Sequence, residues 1–153
     1  AITGIAGRKG FTVISIEKDK MNTEIGFAAR LLTALADLGI SIEHMPTGID
    51  TLSVIVSDES MNGKQQEVVD AIIAAVEPDF LEVHDNIALI AVVGRGMMGR
   101  VGTSSRVFTA LAGNGVNIRM IDQGSSEINI IVGVETDQFK AAVRAIYYAF
   151  DEE

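Results

Sequence analysis

Apolar residues recur at two different periods along this chain, and the periods alternate. Phe11 to Glu17 and Ile87 to Val93 place apolar and β-branched residues as strands do. Between them, Ile25, Ala28, Ala29, Leu32, Leu35 and Ala36 form a helical stripe from about Glu24 to Leu38. Asn22 or Thr23 is suited to cap that helix, Glu24 suits its first turn, and Gly39 ends it. A second helix is expected over about Ser104 to Ala112, stopped by Gly113-Asn114-Gly115. Each helix is followed by two strands in close succession, Ser41–Met45 with Leu52–Ser57 and Asn117–Ile121 with Ile128–Val134. Their short, turn-rich connections predict antiparallel pairing. Last helices are predicted over Gln65–Val76 and Asp137–Phe150.

The two halves repeat one another. At a shift of 76 residues, Thr33 to Ile42 falls on Thr109 to Ile118 with six of ten positions identical. In the same register Gly26 falls on Gly102, Arg30 on Arg106, Gly48 on Gly124 and Val56 on Val132. Such a period signals duplication of one supersecondary unit. The unit reads β-α-β-β-α, and in the first copy a further strand, Phe80 to His84, completes the split βαβ arrangement of ferredoxin-like folds. The second copy lacks that strand, while Ile2 to Ala6 is a strand without a repeat of its own. The expected domains are therefore residues 8–85 and 86–153, with residues 1–7 supplying the missing edge strand of the second, since an unpaired edge invites aggregation. The chain starts at Ala1 rather than Met and is read as part of a longer protein.

Composition narrows the function. The 153 residues are 48% hydrophobic and 5% aromatic with no Trp, so aliphatic side chains must fill the cores. A net charge of −9 argues against nucleic-acid binding. Residues 1–85 carry 6 Lys and Arg against 14 Asp and Glu, whereas residues 86–153 carry 6 against 7. The acidic first half suits a cationic ligand. No apolar run reaches the roughly 20 residues that span a bilayer, so no membrane partner is expected. The absence of Cys excludes disulfides and fits a cytoplasmic location.

Catalytic signatures are weak. His44 and His84 lie in separate strand-like stretches without nearby ligating partners, and a metal site needs three or four. Gly94-Arg95-Gly96-Met97-Met98-Gly99 matches the dinucleotide-binding G-x-G-x-x-G between a strand and a helix. The antiparallel pair that follows is wrong for such a site, and the equivalent loop, Lys18 to Ile25, lacks the pattern. The stronger constellation is the loop and helix start at Met21, Asn22, Thr23, Glu24, Gly26 and Phe27, set near Ile42, Glu43, Thr47, Gly48, Ile49 and Asp50. Free amides at a helix start favour a carboxylate, and Glu24, Glu43 and Asp50 suit ammonium groups. A zwitterionic amino acid with a cationic side chain needs both.

Met21-Asn22-Thr23-Glu24-Ile25-Gly26-Phe27, Ile40 to Asp50 and above all Val116 to Ile130 resemble the paired ACT domains of aspartokinases, with first-copy motifs like those of the lysine-responsive class. The resemblance implies an α+β fold of two ferredoxin-like βαββαβ domains with antiparallel sheets and helices on one face. It further implies an allosteric, non-catalytic region that binds L-lysine, with threonine as a second candidate. Effector contacts would fall on Met21, Glu24, Gly26, Phe27 and Ala28 from the loop and helix, and on Ile42, Glu43, Thr47, Gly48, Ile49 and Asp50 from the strand and turn. Glu24 stands where some relatives carry Ser, so the acid that meets the side-chain ammonium is left open among Glu24, Glu43 and Asp50. Asn117, Ile118, Met120, Gln123, Ser125 and Ser126 would serve pairing between chains of a homodimer. The catalytic residues, and the ATP and Mg of an aspartate kinase, would belong to a domain N-terminal to Ala1, leaving this region without a cofactor. A ligand-free dimerisation scaffold is the alternative, and a nucleotide domain using Gly94–Gly99 a more distant one.

Overall fold

A computed structural model describes residues 4–94, 96, 99, 101–123 and 129–151. The elements are β1 (Gly4–Glu17), α1 (Phe27–Asp37), β2 (Ile42–His44), β3 (Thr51–Ser57), α2 (Asp58–Met61), α3 (Gln65–Val76), β4 (Phe80–Val93), α4 (Thr103–Gly113), β5 (Ile118–Asp122), β6 (Asn129–Glu135) and α5 (Phe139–Phe150). They form two compact units, Gly10–Asp85 and Ala1–Lys9 with Asn86–Glu153. Strands β1 and β4 each contribute to both, and each takes a left-handed residue at the boundary, Gly10 at φ +91° and Asn86 at φ +58°.

In the unit of Gly10–Asp85, the sheet runs β2-β3-β1-β4. Strand β1 pairs antiparallel with β3, placing Ile14 opposite Val54 and Ile16 opposite Leu52. These residues share one face because strand side chains alternate. Onto that face α1 sets Phe27, Leu31 and Leu35, and α3 sets Val68, Ile72 and Val76, each series in steps of four that keep one helical face inward. The helix Asp58–Met61 was not expected from the pattern; Ser57 caps it by accepting from the Ser60 amide at 3.1 Å.

The other unit repeats the plan in the order β1-β4-β6-β5. Ala88, Ile90 and Val92 of β4 lie opposite Val134, Val132 and Ile130 of β6. Val107 and Leu111 of α4 and Ala142, Ile146 and Phe150 of α5 cover them. Ile5, from β1, packs against this core. An ideal Cβ on Gly7 would lie 2.5 Å from the Phe139 ring, so the first strand passes α5 at a closeness only glycine allows. The α+β class, with antiparallel sheets and each pair of helices on one face, agrees with the reading of the sequence.

Three local expectations change. Helix α1 does not start at Glu24 with an Asn22 or Thr23 cap. A short 3-10 turn occupies Met21–Thr23, and α1 starts at Phe27 after Gly26 in the left-handed region at φ +84°. An apolar stripe reports which face is inward, not where the turn geometry changes. Second, Phe80–His84 and Ile87–Val93 are not separate strands but one, β4. Third, the repeat is not gapless through β6. Thr12 pairs with Val56, and its counterpart Ala88 pairs with Val134, so Val56 corresponds to Val134 rather than Val132. A slip of two residues keeps every side chain on its face, which is why the identity of Val56 and Val132 misleads.

Candidate functional site

Three segments of the Gly10–Asp85 unit converge beside the start of α1. Met21 and Phe27 are buried and anchor the two ends of the loop in the core. The turn after β2 is closed by Gly48 N–H donating to Thr51 O at 2.8 Å and Ser53 N–H to Pro46 O at 2.9 Å. Gly48 fits there because a Cβ would come within 2.6 Å of the Thr51 hydroxyl. Turn and loop are tied through Asp50, whose carbonyl accepts from Lys18 N–H at 3.0 Å and whose Oδ1 accepts from Lys20 N–H at 3.2 Å.

These segments enclose a cavity of about 300 Å³. Met21, Glu24, Gly26, Phe27 and Ala28 line one side, and Thr47, Gly48 and Ile49 the other. Eight of the eleven candidate effector residues are thus brought together. Ile42 instead packs against the core, and Glu43 is exposed on β2. Asp50 follows Ile49 in the chain but is not part of the lining. Asn22, Ala29 and Leu52 also line the cavity, Ala29 and Leu52 being additions that adjacency to Ala28 and to the turn could have suggested.

The wall is mostly apolar with a few polar groups, the usual make-up of a small-ligand site. The first N–H groups of a helix have no carbonyl a full turn earlier to bond. That of Phe27 reaches Glu24 O at 3.3 Å, and Ala28 and Ala29, next in the first turn, border the cavity. The charges are less open than the sequence suggests. Glu24 carries two cations, Lys18 Nζ at 2.9 Å from Oε1 and Arg30 at 3.2 Å from Oε2. Neither cation figured among the candidate residues, although 18, 24 and 30 alternate in charge.

In the second unit, Asn117 N–H donates to Gln138 Oε1 at 3.1 Å, Ile118 packs on the core, and Met120 is buried. Gln123 Oε1 accepts from the Ser104 hydroxyl at 3.3 Å. Ser125 and Ser126 lie outside the described residues, as do Arg95, Met97 and Met98 of the glycine-rich loop. The strand before that loop pairs antiparallel with β6, unlike the parallel βαβ of a dinucleotide site. Among the described residues no three His, Cys, Asp or Glu are grouped to hold a metal ion. No helix among them is long and apolar enough to cross a membrane.

The ACT domain pattern matches residues 90–150, over a unit whose fold is the duplicate of its neighbour. Residues 90–150 thus carry an ACT domain. The chain's tandem ACT arrangement is that of aspartokinase regulatory regions. The sequence is 40% identical to Aspartokinase 3 of Bacillus subtilis over 150 residues, which is 97% of this chain and 33% of that protein. The structure is similar to the crystal structure of Clostridium acetobutylicum aspartate kinase at a TM-score of 0.94 and 51% identity, over 98% of this chain and 35% of that one. It is also similar to the regulatory subunit of aspartate kinase from Thermus flavus, at a TM-score of 0.83 and 25% identity, over 98% of this chain and 99% of that one. The chain thus spans about a third of the first of these relatives and nearly all of the last.

Proposed function

We propose that this chain is the effector-sensing and dimerisation region of an aspartate kinase, that it binds L-lysine in the cavity beside Phe27, and that it gives feedback control of a cytoplasmic biosynthetic pathway for lysine, threonine and methionine. The observation that carries this is the cavity itself. An apolar lining from Met21, Phe27, Ile49 and Leu52 suits an aliphatic stem. The first turn of α1 suits a carboxylate, and acids stand nearby for ammonium groups. A volume of about 300 Å³ is at the low end for ligand sites, roughly 300–1,000 Å³, as a single amino acid requires.

In this reading ATP and Mg serve a kinase domain outside these residues, and the effector acts by linkage. It shifts the kinase only as far as its affinities for the two states differ, about 1–3 kcal/mol in typical allosteric coupling. Calorimetry on the whole enzyme, titrated with lysine and separately with threonine, tests it. Saturable lysine binding that Phe27→Ala abolishes supports the proposal; no heat from either amino acid, with activity unchanged by both, sinks it.

A ligand-free pairing scaffold has one observation of its own. Ile25 and Val101, equivalent in the repeat, are 95% and 99% exposed just before the left-handed Gly26 and Gly102. Apolar residues so placed in both copies suit a surface covered by a second chain. That reading requires a dimer whose melting temperature no amino acid raises.

A further inference from the structure

Tyr147 and Tyr148 are the only two tyrosines of the chain, and both stand on the outer face of α5, 54% and 59% exposed. Their rings meet edge to face, 5.4 Å between centroids. With Arg144 and Asp151 they follow the spacing i, i+3, i+4, i+7, which sets four side chains in one row along a helix. Asp151 caps α5 and keeps right-handed helical angles, φ −66° and ψ −26°, so it continues the row. None of the four side chains has a hydrogen bond or ion pair among the described residues. The row borders a cavity of about 550 Å³, lined also by Ile5, Val143 and Phe150. Gly4 keeps that cavity open. A Cβ there would meet nothing within 4 Å, whereas its counterpart in the repeat, 76 residues on, is Phe80.

The row reads cation, ring, ring, anion, and reversed it is its own complement. At a rise of about 1.5 Å per residue, Arg144 and Asp151 lie about 5 Å on either side of the midpoint between the tyrosines. A two-fold axis through that midpoint lays a second α5 antiparallel to the first. Arg144 then stands level with Asp151 of the partner subunit, and Tyr147 against Tyr148 of the partner subunit. A two-fold interface requires this self-complementary kind of patch. Helix α3, the counterpart of α5, lacks it. Its buried Val68, Ile72 and Val76 answer to Ala142, Ile146 and Phe150, so the row positions hold Asp70, Ile73, Ala74 and Glu77. There an acid would meet an acid. We propose that α5 pairs antiparallel with α5 of a second copy of this chain, through two Arg144–Asp151 pairs around a tyrosine centre. Tyrosine and arginine are the residue types that most often carry interface affinity, and opposite charges at the rim fix the register. The pairing involves neither the effector cavity nor Ile25 and Val101, so it does not depend on the lysine reading.

Sedimentation of the whole enzyme over a dilution series, without effector, tests this. The wild type should associate reversibly. Arg144→Asp and Asp151→Arg should each weaken that association about tenfold or more, because like charges then face each other. The double variant, Arg144→Asp with Asp151→Arg, restores the pairs with their roles exchanged and should recover it. Tyr147→Ser with Tyr148→Ser should abolish it. Asp70→Arg makes the same change of charge on α3 and should leave association as it is. All five positions are exposed, so melting temperatures at dilution should hold; where a reversal lowers one, Arg144→Gln and Asp151→Asn replace it and should still weaken association. A wild type that does not associate, charge changes at 144 and 151 without effect, a double variant no better than the single ones, or an equal loss in Asp70→Arg overturns the proposal.

Discussion

Arg30 and Arg106 hold the same place in the two ACT units and make the same contact. Arg30 donates to Ala75 O at 3.1 Å, and Arg106 to Ala149 O at 2.5 Å. Each guanidinium thereby satisfies a carbonyl near the C-terminus of the unit's last helix, where the helix dipole is negative. Arg106 also stacks over Phe150 at 4.4 Å. In the first copy the arginine also pairs with Glu24, a residue of the cavity wall. Arg106→Met should cost about 1–2 kcal/mol in chemical unfolding, from a cationic hydrogen bond and a stacking contact. A change indistinguishable from zero would show the carbonyl to be equally well served by water.

Leu35 and Leu111 are fully buried equivalents, each in the core of its own unit. Truncating either to Ala should destabilise by about 2–5 kcal/mol. Hydrogen exchange should show the loss first in the unit that carries the change. Equal loosening of both units by Leu111→Ala would refute their having separate cores.

Gly7→Ala sets a methyl group against the Phe139 ring and should cost about 1–3 kcal/mol as overpacking. Gly4→Ala has open space and should be near neutral. Thermal melts of the pair decide this; equal melting temperatures would contradict the close passage of the first strand over α5.

Gly26→Ala forces an L residue to φ +84° beside Arg30, with strain of about 1–3 kcal/mol. Because Gly26 also lines the cavity, effector affinity should fall along with stability. Unfolding curves and calorimetry on the same variant check both, and unchanged values in the two would remove the left-handed entry to α1 as a constraint.

Ala28 is exposed and borders the cavity. Ala28→Trp should fill the space while changing stability by no more than about 0.5 kcal/mol, as surface substitutions do. Lost lysine binding at an unchanged melting temperature is the expected outcome. Retained affinity would move the ligand elsewhere.

Much of this protein is written in local pattern. The 3.6-residue and two-residue periods are direct consequences of helix and strand geometry, so α3 is found at Gln65–Val76 as the spacing of Val68, Ile72 and Val76 requires. Most of the cavity wall was legible as well, because residues 21–28 and 47–49 are short segments whose types already suggest a zwitterion's partners. What the tertiary structure alone decided is what those types are free to do. The register that makes Val56 the counterpart of Val134 depends on pairing across strands, and a two-residue slip leaves no trace in the apolar alternation. The start of α1 depends on a left-handed Gly26. And Glu24, an acid like any other in the sequence, has its charge met by Lys18 and Arg30 only because β1, α1 and the end of α3 meet at one point. Electrostatic attraction falls with distance in space, not along the chain.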